Sequence, residues 1–415
     1  MVDRIAALVL LFALTTLGCW TEQPLTPRVG ISAAETTESK ISPATIAANQ
    51  PTRTARTAAQ PDAPDLVAPL SRPQELRGAW VTRWTYDSAE DVRQIMNDLA
   101  NAGFNTVYFQ VRGTFDAYYH SNLEPWAARL SAGDWDPLAV AIEAGHARGL
   151  QIHAYLNTFP LWNGPVAPVS QRHAYHAHPE WRITESNGQV MTLGEGYLFA
   201  SPGIAAVRQH VATVAADIAS RYAVDGIHLD YIRYPGQQYS SDPESLAGIT
   251  AAGGDRAAWQ RNQVTDTVRG VNAAVDVPVT AAVWGIYENR WNWNSVSEGN
   301  VNFYQDSAAF LATGAADATL PMIYWPVRED GGRLDFRTLV RDHLSRAHGR
   351  HIYAGVTAER GYDVALACAQ AAREEGAQGV VLFDYRTARD AGWLQQFGDA
   401  VFNTPAVVPR MPWRE

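Results

Sequence analysis

Asp230 sits in the run Asp225-Gly226-Ile227-His228-Leu229-Asp230-Tyr231-Ile232-Arg233-Tyr234-Pro235, where apolar Ile227 and Leu229 alternate with His228 and Asp230. An alternation of period two marks a strand with two different faces. If Ile227 and Leu229 pack outward against helices, His228 and Asp230 face the other way. In a parallel barrel, that direction at the carboxyl end of a strand is where barrel enzymes keep their chemistry. A carboxylate there can move a proton, attack a carbon or activate water. The plainer alternative is an ion pair between Asp230 and Arg233 that only closes the strand.

Other apolar runs end the same way. The ends are Arg83 and Trp84, Gln110 and Arg112, Tyr155 and Asn157, Trp284 followed by Glu288, Tyr324 and Trp325, Thr357 and Glu359, and Asp384 and Tyr385. Together they describe a polar cup with aromatic walls. Sugar rings stack their apolar faces on Trp and Tyr, and their hydroxyl rims need carboxylate, Asn and Arg partners. Glycoside hydrolysis needs two carboxylates, one to protonate the leaving oxygen and one to attack or to activate water. Asp230 is the first candidate. For the second, Glu288 is favoured because it follows the strand next to that of Asp230; Asp384 and Glu359 are the alternatives. Glu288 could equally be a surface loop charge, and Asp384 a partner for Arg386. Trp84, Arg112, Asn157, His228, Arg233, Trp284, Tyr324, Trp325 and Glu359 are expected to bind substrate. For Arg112 and Arg233 a structural salt bridge competes with that role, and for His228 a satisfied core histidine does.

The elements that must position these groups alternate. Strand patterns at 77–84, 106–112, 150–157, 225–230, 278–284, 317–325, 351–356 and 378–385 are separated by helical patterns at 89–102, 136–148, 203–222, 256–275, 304–313, 336–348, 362–375 and 390–401. Ser88 or Asp87 is a candidate N-cap for the first helix and Asp136 for the second, and Gly149 is a stop. A long insertion, 158–201, interrupts the third unit. Eight strand–helix units predict an α/β chain folded as a (β/α)8 TIM barrel.

The chain has 415 residues, 47% of them hydrophobic, and a formal net charge of -10. That supports one large barrel domain and argues against nucleic acid as a partner, because phosphate binding needs a basic face. Its 14 Trp and 17 Tyr fill core and wall positions alike. No cofactor is expected, and the histidines at 173–178 lack the spacing of a metal site. The N-terminus reads as a targeting segment. Arg4 precedes a short apolar run, 5–14, and Gly18-Cys19 resembles a lipobox that would make Cys19 the lipidated first residue. Residues 19–73, rich in Pro, Thr, Ala and Ser, are too polar to bury a core and read as a disordered tether. The organisation expected is therefore 1–18 signal peptide, 19–73 linker, 74–403 barrel and 404–415 surface tail, with the protein lipid-anchored in the cell envelope. Of the two cysteines, Cys368 lies in an apolar helical stretch and reads as a buried structural thiol.

The runs 76–81 (LRGAWV), 105–112, 150–157, 199–203 (FASPG), 225–235, Gln305-Asp306 and 321–325 (PMIYW) together resemble the glycosyl hydrolase-like family 10 proteins, over roughly 75–400. The resemblance implies a (β/α)8 barrel acting on bacterial glycans, peptidoglycan strands stripped of their stem peptides among them, with Asp230 as the acid of the fourth strand. Tyr231 stands where many relatives carry a second acid. His228-x-Asp230-x-Ile232 lacks the final Glu of family 18 chitinases. It is closer to the Arg-x-Asp of the α-amylase superfamily, an analogy that makes Asp230 the nucleophile and Glu288 the acid. The expected function is a cell-wall glycosidase. The alternatives are a glycosidase on a neutral α-glucan and a non-catalytic glycan-binding barrel.

Overall fold

The computed structural model describes residues 72–130 and 135–415. The expected signal peptide, Cys19 and nearly all of the tether lie outside the described residues. The strands, in chain order, are Leu76–Val81 (β1), Thr106–Arg112 (β2), Gln151–Asn157 (β3), Pro160–Gly164 (β4), Gly194–Phe199 (β5), Gly226–Asp230 (β6), Val279–Trp284 (β7), Ala318–Met322 (β8), His351–Thr357 (β9) and Gly379–Phe383 (β10). Eight of them close a parallel barrel in the order β1-β10-β9-β8-β7-β6-β3-β2, and β4 and β5 form a separate antiparallel hairpin inside the insertion. This is the (β/α)8 architecture expected. Asp230, at the end of the fourth barrel strand β6, is therefore at the carboxyl-end mouth.

The helices are Ala89–Asn101 (α1), Pro137–His146 (α2), Ala174–Ala177 (α3), Ala205–Arg221 (α4), Pro243–Ala251 (α5), Arg256–Ala274 (α6), Gly299–Asn302 (α7), Ser307–Ala312 (α8), Phe336–Leu344 (α9), Tyr362–Glu374 (α10), Tyr385–Asp390 (α11) and Leu394–Val401 (α12). Local chemistry sets their starts. The Ser88 hydroxyl accepts from the Asp91 N–H while the Asp91 carboxylate accepts from the Ser88 N–H, a reciprocal cap for α1. Val92, Ile95, Met96 and Leu99 then bury one stripe of that helix against the barrel. Asp136 caps α2, and Gly149 supplies the left-handed turn after it with φ 74. One expectation needs correcting: the last strand stops at Phe383, because Asp384 becomes the N-cap of α11, whose first turn begins at Tyr385.

The barrel interior is filled by large rings. Trp80, Tyr108, His153, Tyr155, His228 and Tyr353 are all buried. Glycines make the room: a Cβ at Gly78 would come 2.9 Å from the Tyr108 ring, and one at Gly226 would come 2.4 Å from His153. The core below the mouth is thus a plug of aromatic groups with polar edges.

The segment after α12 is not loose. Val407 pairs with Gln74, ahead of β1. Trp413 donates its indole N–H to the buried Asp317 carboxylate at 2.9 Å, and Arg414 donates to it at 2.8 Å. Asp317 immediately precedes β8, so the tail straps the N-terminal face of the barrel, opposite the mouth.

Candidate active site

Asp230 is buried, and each carboxylate oxygen has a donor. The Tyr155 hydroxyl donates to Oδ2 at 2.6 Å, and the Tyr231 backbone N–H donates to Oδ1 at 2.6 Å. Burial raises its pKa above the ordinary value; the two hydrogen bonds and the Arg233 charge only partly oppose that. Asn157 is its register partner on β3 and stands beside it. The Asn157 carbonyl oxygen accepts from Gln110 at 3.0 Å, and its amide nitrogen donates to no described residue. A buried carboxylate and an amide with open N–H groups side by side can address a reacting centre and a neighbouring hydroxyl.

The backbone turns sharply after Asp230. Tyr231 adopts a left-handed conformation with φ 49, uncommon for a bulky residue, and the Arg233 N–H bonds back to the Tyr231 carbonyl at 2.9 Å. This turn lays the half-buried Arg233 guanidinium among three aromatic faces. Its carbon lies 4.9 Å from the Tyr231 ring centre, 4.9 Å from Phe303 and 5.4 Å from Trp284. The ion pair with Asp230 that sequence allowed does not form. Gln305 fastens this wall: it accepts from the Trp284 N–H at 2.7 Å and donates to the Ile232 carbonyl at 3.2 Å, joining the exits of β6 and β7.

A second acidic group stands at the ends of β9 and β10. Glu359 is exposed at the rim. Partial burial of its carboxyl and the neighbouring Asp384 charge raise its pKa, against the opposing charge of Arg360. Asp384 is buried, and its own pKa is raised by burial, although one oxygen accepts the Thr387 N–H at 2.9 Å. Tyr324 stacks on Phe383 beside them, with ring centres 5.5 Å apart. In the closed strand order β9 and β10 lie across the barrel from β6. Glu359 and Asp384 therefore follow strands on the far side of the closed order from β6, and the Asp384 carboxylate caps α11.

Glu288, expected as the second acid, turns elsewhere. Its carboxylate accepts from the Asn300 amide at 2.7 Å and lies 3.5 Å from Arg346, which follows α9. These partners hold its carboxylate, and among the described residues it shares no hydrogen bond or ion pair with Asp230 or its donors. Arg112, expected to orient substrate, is also corrected. It is fully buried, forks onto Glu124 at 2.9 and 2.8 Å, and donates to the carbonyls of Asn157 and Thr158 at 2.5 and 3.0 Å. Burial would raise the Glu124 carboxyl, but Arg112 and His210 outweigh it and hold the pKa at about 2. His228 is a core residue rather than a substrate ligand. Trp80 donates to its Nε2 at 3.0 Å, so the ring proton sits on Nδ1, 2.9 Å from the Thr280 hydroxyl. Burial keeps this imidazole neutral.

The remaining aromatic candidates divide. Trp84 is half-buried between Arg83 and Arg129, whose guanidinium carbons lie 4.5 and 5.5 Å from its ring centre. Trp284 joins the Arg233 wall. Trp325 lies over Gly285 and turns its carbonyl to Cys368, whose thiol burial pushes up to about 12. Sequence reasoning placed Tyr155 at a strand end without giving it a role at Asp230, and passed over Tyr197 and Phe303. Tyr155 carried a readable signal, two residues before Asn157 on the same strand face. Tyr197, whose hydroxyl accepts from Arg83 at 2.9 Å, and Phe303 sit in a hairpin and a loop whose return to the mouth no periodicity announces.

A closed parallel barrel carrying acids and aromatic rings at its carboxyl mouth defines a (β/α)8 protein of the glycosidase type. The chain belongs to the glycosyl hydrolase-like 10 family, which matches residues 75–369. Among its relatives, glycosyl hydrolase DigH of Escherichia coli K12 is 27% identical over 270 residues, 58% of this chain and 59% of DigH. Glycosyl hydrolase YngK of Bacillus subtilis is 22% identical over 387 residues, 82% of this chain and 74% of YngK. Among solved structures, the glycoside hydrolase domain of PgaB (BpsB) from Bordetella bronchiseptica superposes with TM-score 0.58 at 16% identity, over 79% of this chain and 99% of that domain. The catalytic domain of the Paenibacillus polymyxa beta-amylase gives 0.55 at 14% identity, over 80% and 99%. At these identities the likeness is one of fold.

Proposed function

We propose that the protein is a glycoside hydrolase that cleaves the glycan strands of a bacterial cell wall, acting from the cell envelope to which a lipid on Cys19 would tether it. One observation carries the reading: Asp230 is a buried carboxylate at the end of a barrel strand, held by Tyr155 and Tyr231, with Glu359 and Asp384 following strands on the far side of the closed order. Two carboxyl groups flanking a cleft are the minimum equipment for glycosidic cleavage. Asp230, fixed by two donors, is the group that attacks or activates water. In this reading Glu359 is the proton donor; partial burial and then the Asp384 charge raise its pKa, as burial raises that of Asp230. Tyr324, Phe383, Trp284 and Tyr231 supply faces for sugar rings. The descriptions of DigH and YngK as glycosyl hydrolases support the activity class.

The test incubates the full chain, and its Asp230→Asn variant, with peptide-free peptidoglycan strands, intact sacculi and neutral α- and β-glucans, with products read by mass spectrometry. Amino-sugar oligomers released only by the unmutated chain are expected, with a loss of ~10³-fold or more in the variant. Cleavage of a neutral glucan alone would overturn the substrate, and undiminished turnover by Asp230→Asn would overturn the site. Palmitate labelling that disappears in Cys19→Ala tests the anchor.

A further inference from the structure

The Asp230 charge acts on Arg233 through space, without an ion pair. The Arg233 guanidinium makes no hydrogen bond and no ion pair with any described residue, although it lies against Tyr231, Trp284 and Phe303 and only three residues beyond Asp230. Arginines removed from water in this way ordinarily fork onto a carboxylate, as Arg112 does onto Glu124 in the same molecule. The cage explains why the group stays in place without an acceptor. Three rings hold the plane of the guanidinium through cation–π contact, and the Arg233–Tyr231 backbone bond fixes its root. Such contacts satisfy none of its N–H donors, which have no acceptor among the described residues. The wall behind it is stiff, since Tyr231 packs at 5.1 Å against Tyr197 and Trp284 at 4.5 Å against Phe303. Arg360 and Arg386 stand beside Glu359 and Asp384 at the ends of β9 and β10 and are bonded to the carbonyls of Tyr324 and Trp84, so Arg233 is the positive group three residues from Asp230 that has no acceptor among the described residues.

We infer that Arg233 is a recognition site for a carboxylate carried by the glycan, placed on the ring next to the bond that Asp230 addresses. This rests on the glycosidase reading above and narrows its substrate to acidic glycans. The carboxylate could be the lactyl group of a peptide-free amino sugar or the ring carboxyl of a uronate. Both present two oxygens to the guanidinium edge. The competing role, in which Arg233 only adjusts the charge of Asp230, would affect charged and neutral glycans equally.

The experiment measures equilibrium binding by calorimetry. It uses the full chain carrying Asp230→Asn to block turnover, alone and combined with Arg233→Gln or Arg233→Lys. The probes are peptide-free peptidoglycan oligomers, the same oligomers with their carboxyls converted to methyl amides, a uronate oligosaccharide, and its carboxyl-reduced form. The expected result is a preference of tenfold or more for at least one free-carboxylate probe over its neutral form, weakening as salt rises. Arg233→Gln should remove that preference, with a loss of roughly 10- to 100-fold on the acidic probe and less than about twofold on the neutral one. Arg233→Lys should retain part of it, which guards against a misfolded Gln variant. Which acidic probe responds identifies the source of the carboxylate. Equal binding of charged and neutral forms, equal loss on both in Arg233→Gln, or no binding of either acidic probe overturns the inference. Cleavage of peptide-free strands by the unmutated chain that ignores amidation leaves the glycosidase reading standing and sinks this inference alone. Absence of any cleavage, with the charge preference present, does the reverse.

Discussion

At the scale of single residues, the site turns on how burial and neighbours divide the carboxyl groups. Asp230 and Glu359 are both held above the ordinary carboxylate range, but only Glu359 owes part of that to a second acid. A donor must keep its proton at working pH, so activity should fall as pH rises through the raised Glu359 value. Asp384→Ser removes the like charge while retaining a side chain that caps α11. It should lower the Glu359 pKa and move the alkaline limb of kcat/KM to lower pH, with melting temperature nearly unchanged. A limb that stays put would show that Asp384 does not act on the donor. Glu359→Gln should cost ~10²- to 10⁴-fold in turnover. Glu288→Gln, at a carboxylate that among the described residues bonds to Asn300 and pairs with Arg346, should stay within about threefold of the native rate. The reverse ranking in the same assay would return Glu288 to the site.

At the scale of elements, Arg112 is a fastener rather than a ligand. It joins the end of β2 to Glu124 in the loop that follows and to the carbonyls ending β3, while His210 of α4 donates to the same Glu124 at 2.8 Å. This triad holds the floor on which Asn157 and Asp230 stand. Glu124 titrates at about 2 in the fold, below its ordinary 4.5. A carboxyl depressed by folding stabilises the protein above its unfolded pKa, and that stability is lost as pH falls. The window here runs from about 4.5 down to about 2, with roughly 3 kcal/mol at stake. Denaturant melts across that range should show the loss in the native chain. Arg112→Met should destabilise the fold by ~3–5 kcal/mol at neutral pH, by stranding a buried carboxylate, and should abolish this acid dependence. A change below 1 kcal/mol would mean that Glu124 escapes to solvent.

At the scale of the whole molecule, the two ends of the barrel do separate work. The mouth carries the acids and the rings, and the opposite face is closed by the tail. Asp317 gathers the Val279 N–H, Arg350, Trp413 and Arg414, with donor distances of 2.8, 3.1, 2.9 and 2.8 Å. Replacing both Trp413 and Arg414 by Ala should cost ~1–3 kcal/mol and lower Tm by several degrees, while glycan turnover at the far end is unchanged. A drop in turnover matching the drop in Tm would show that the strap reaches the mouth.

The barrel and the place of Asp230 in it were legible in the sequence, because strand and helix periods are local and each unit repeats the same alternation. So were the caps at Ser88 and Asp136, which depend on residues within one turn. Burial of Cys368 followed in the same way from the apolar helical stretch around it. The second acid was not legible. Which carboxyl faces Asp230 depends on strand order around a closed ring and on where each loop turns its side chains, and both are set by contacts far apart in the chain. Glu288 follows the adjacent strand yet bonds to Asn300 and Arg346, whereas Glu359 and Asp384 lie far along the chain and follow strands on the far side of the closed order. Arg112 and Arg233 look alike as residue types at strand ends. Only the fold gives the first a buried carboxylate and the second an aromatic cage with none.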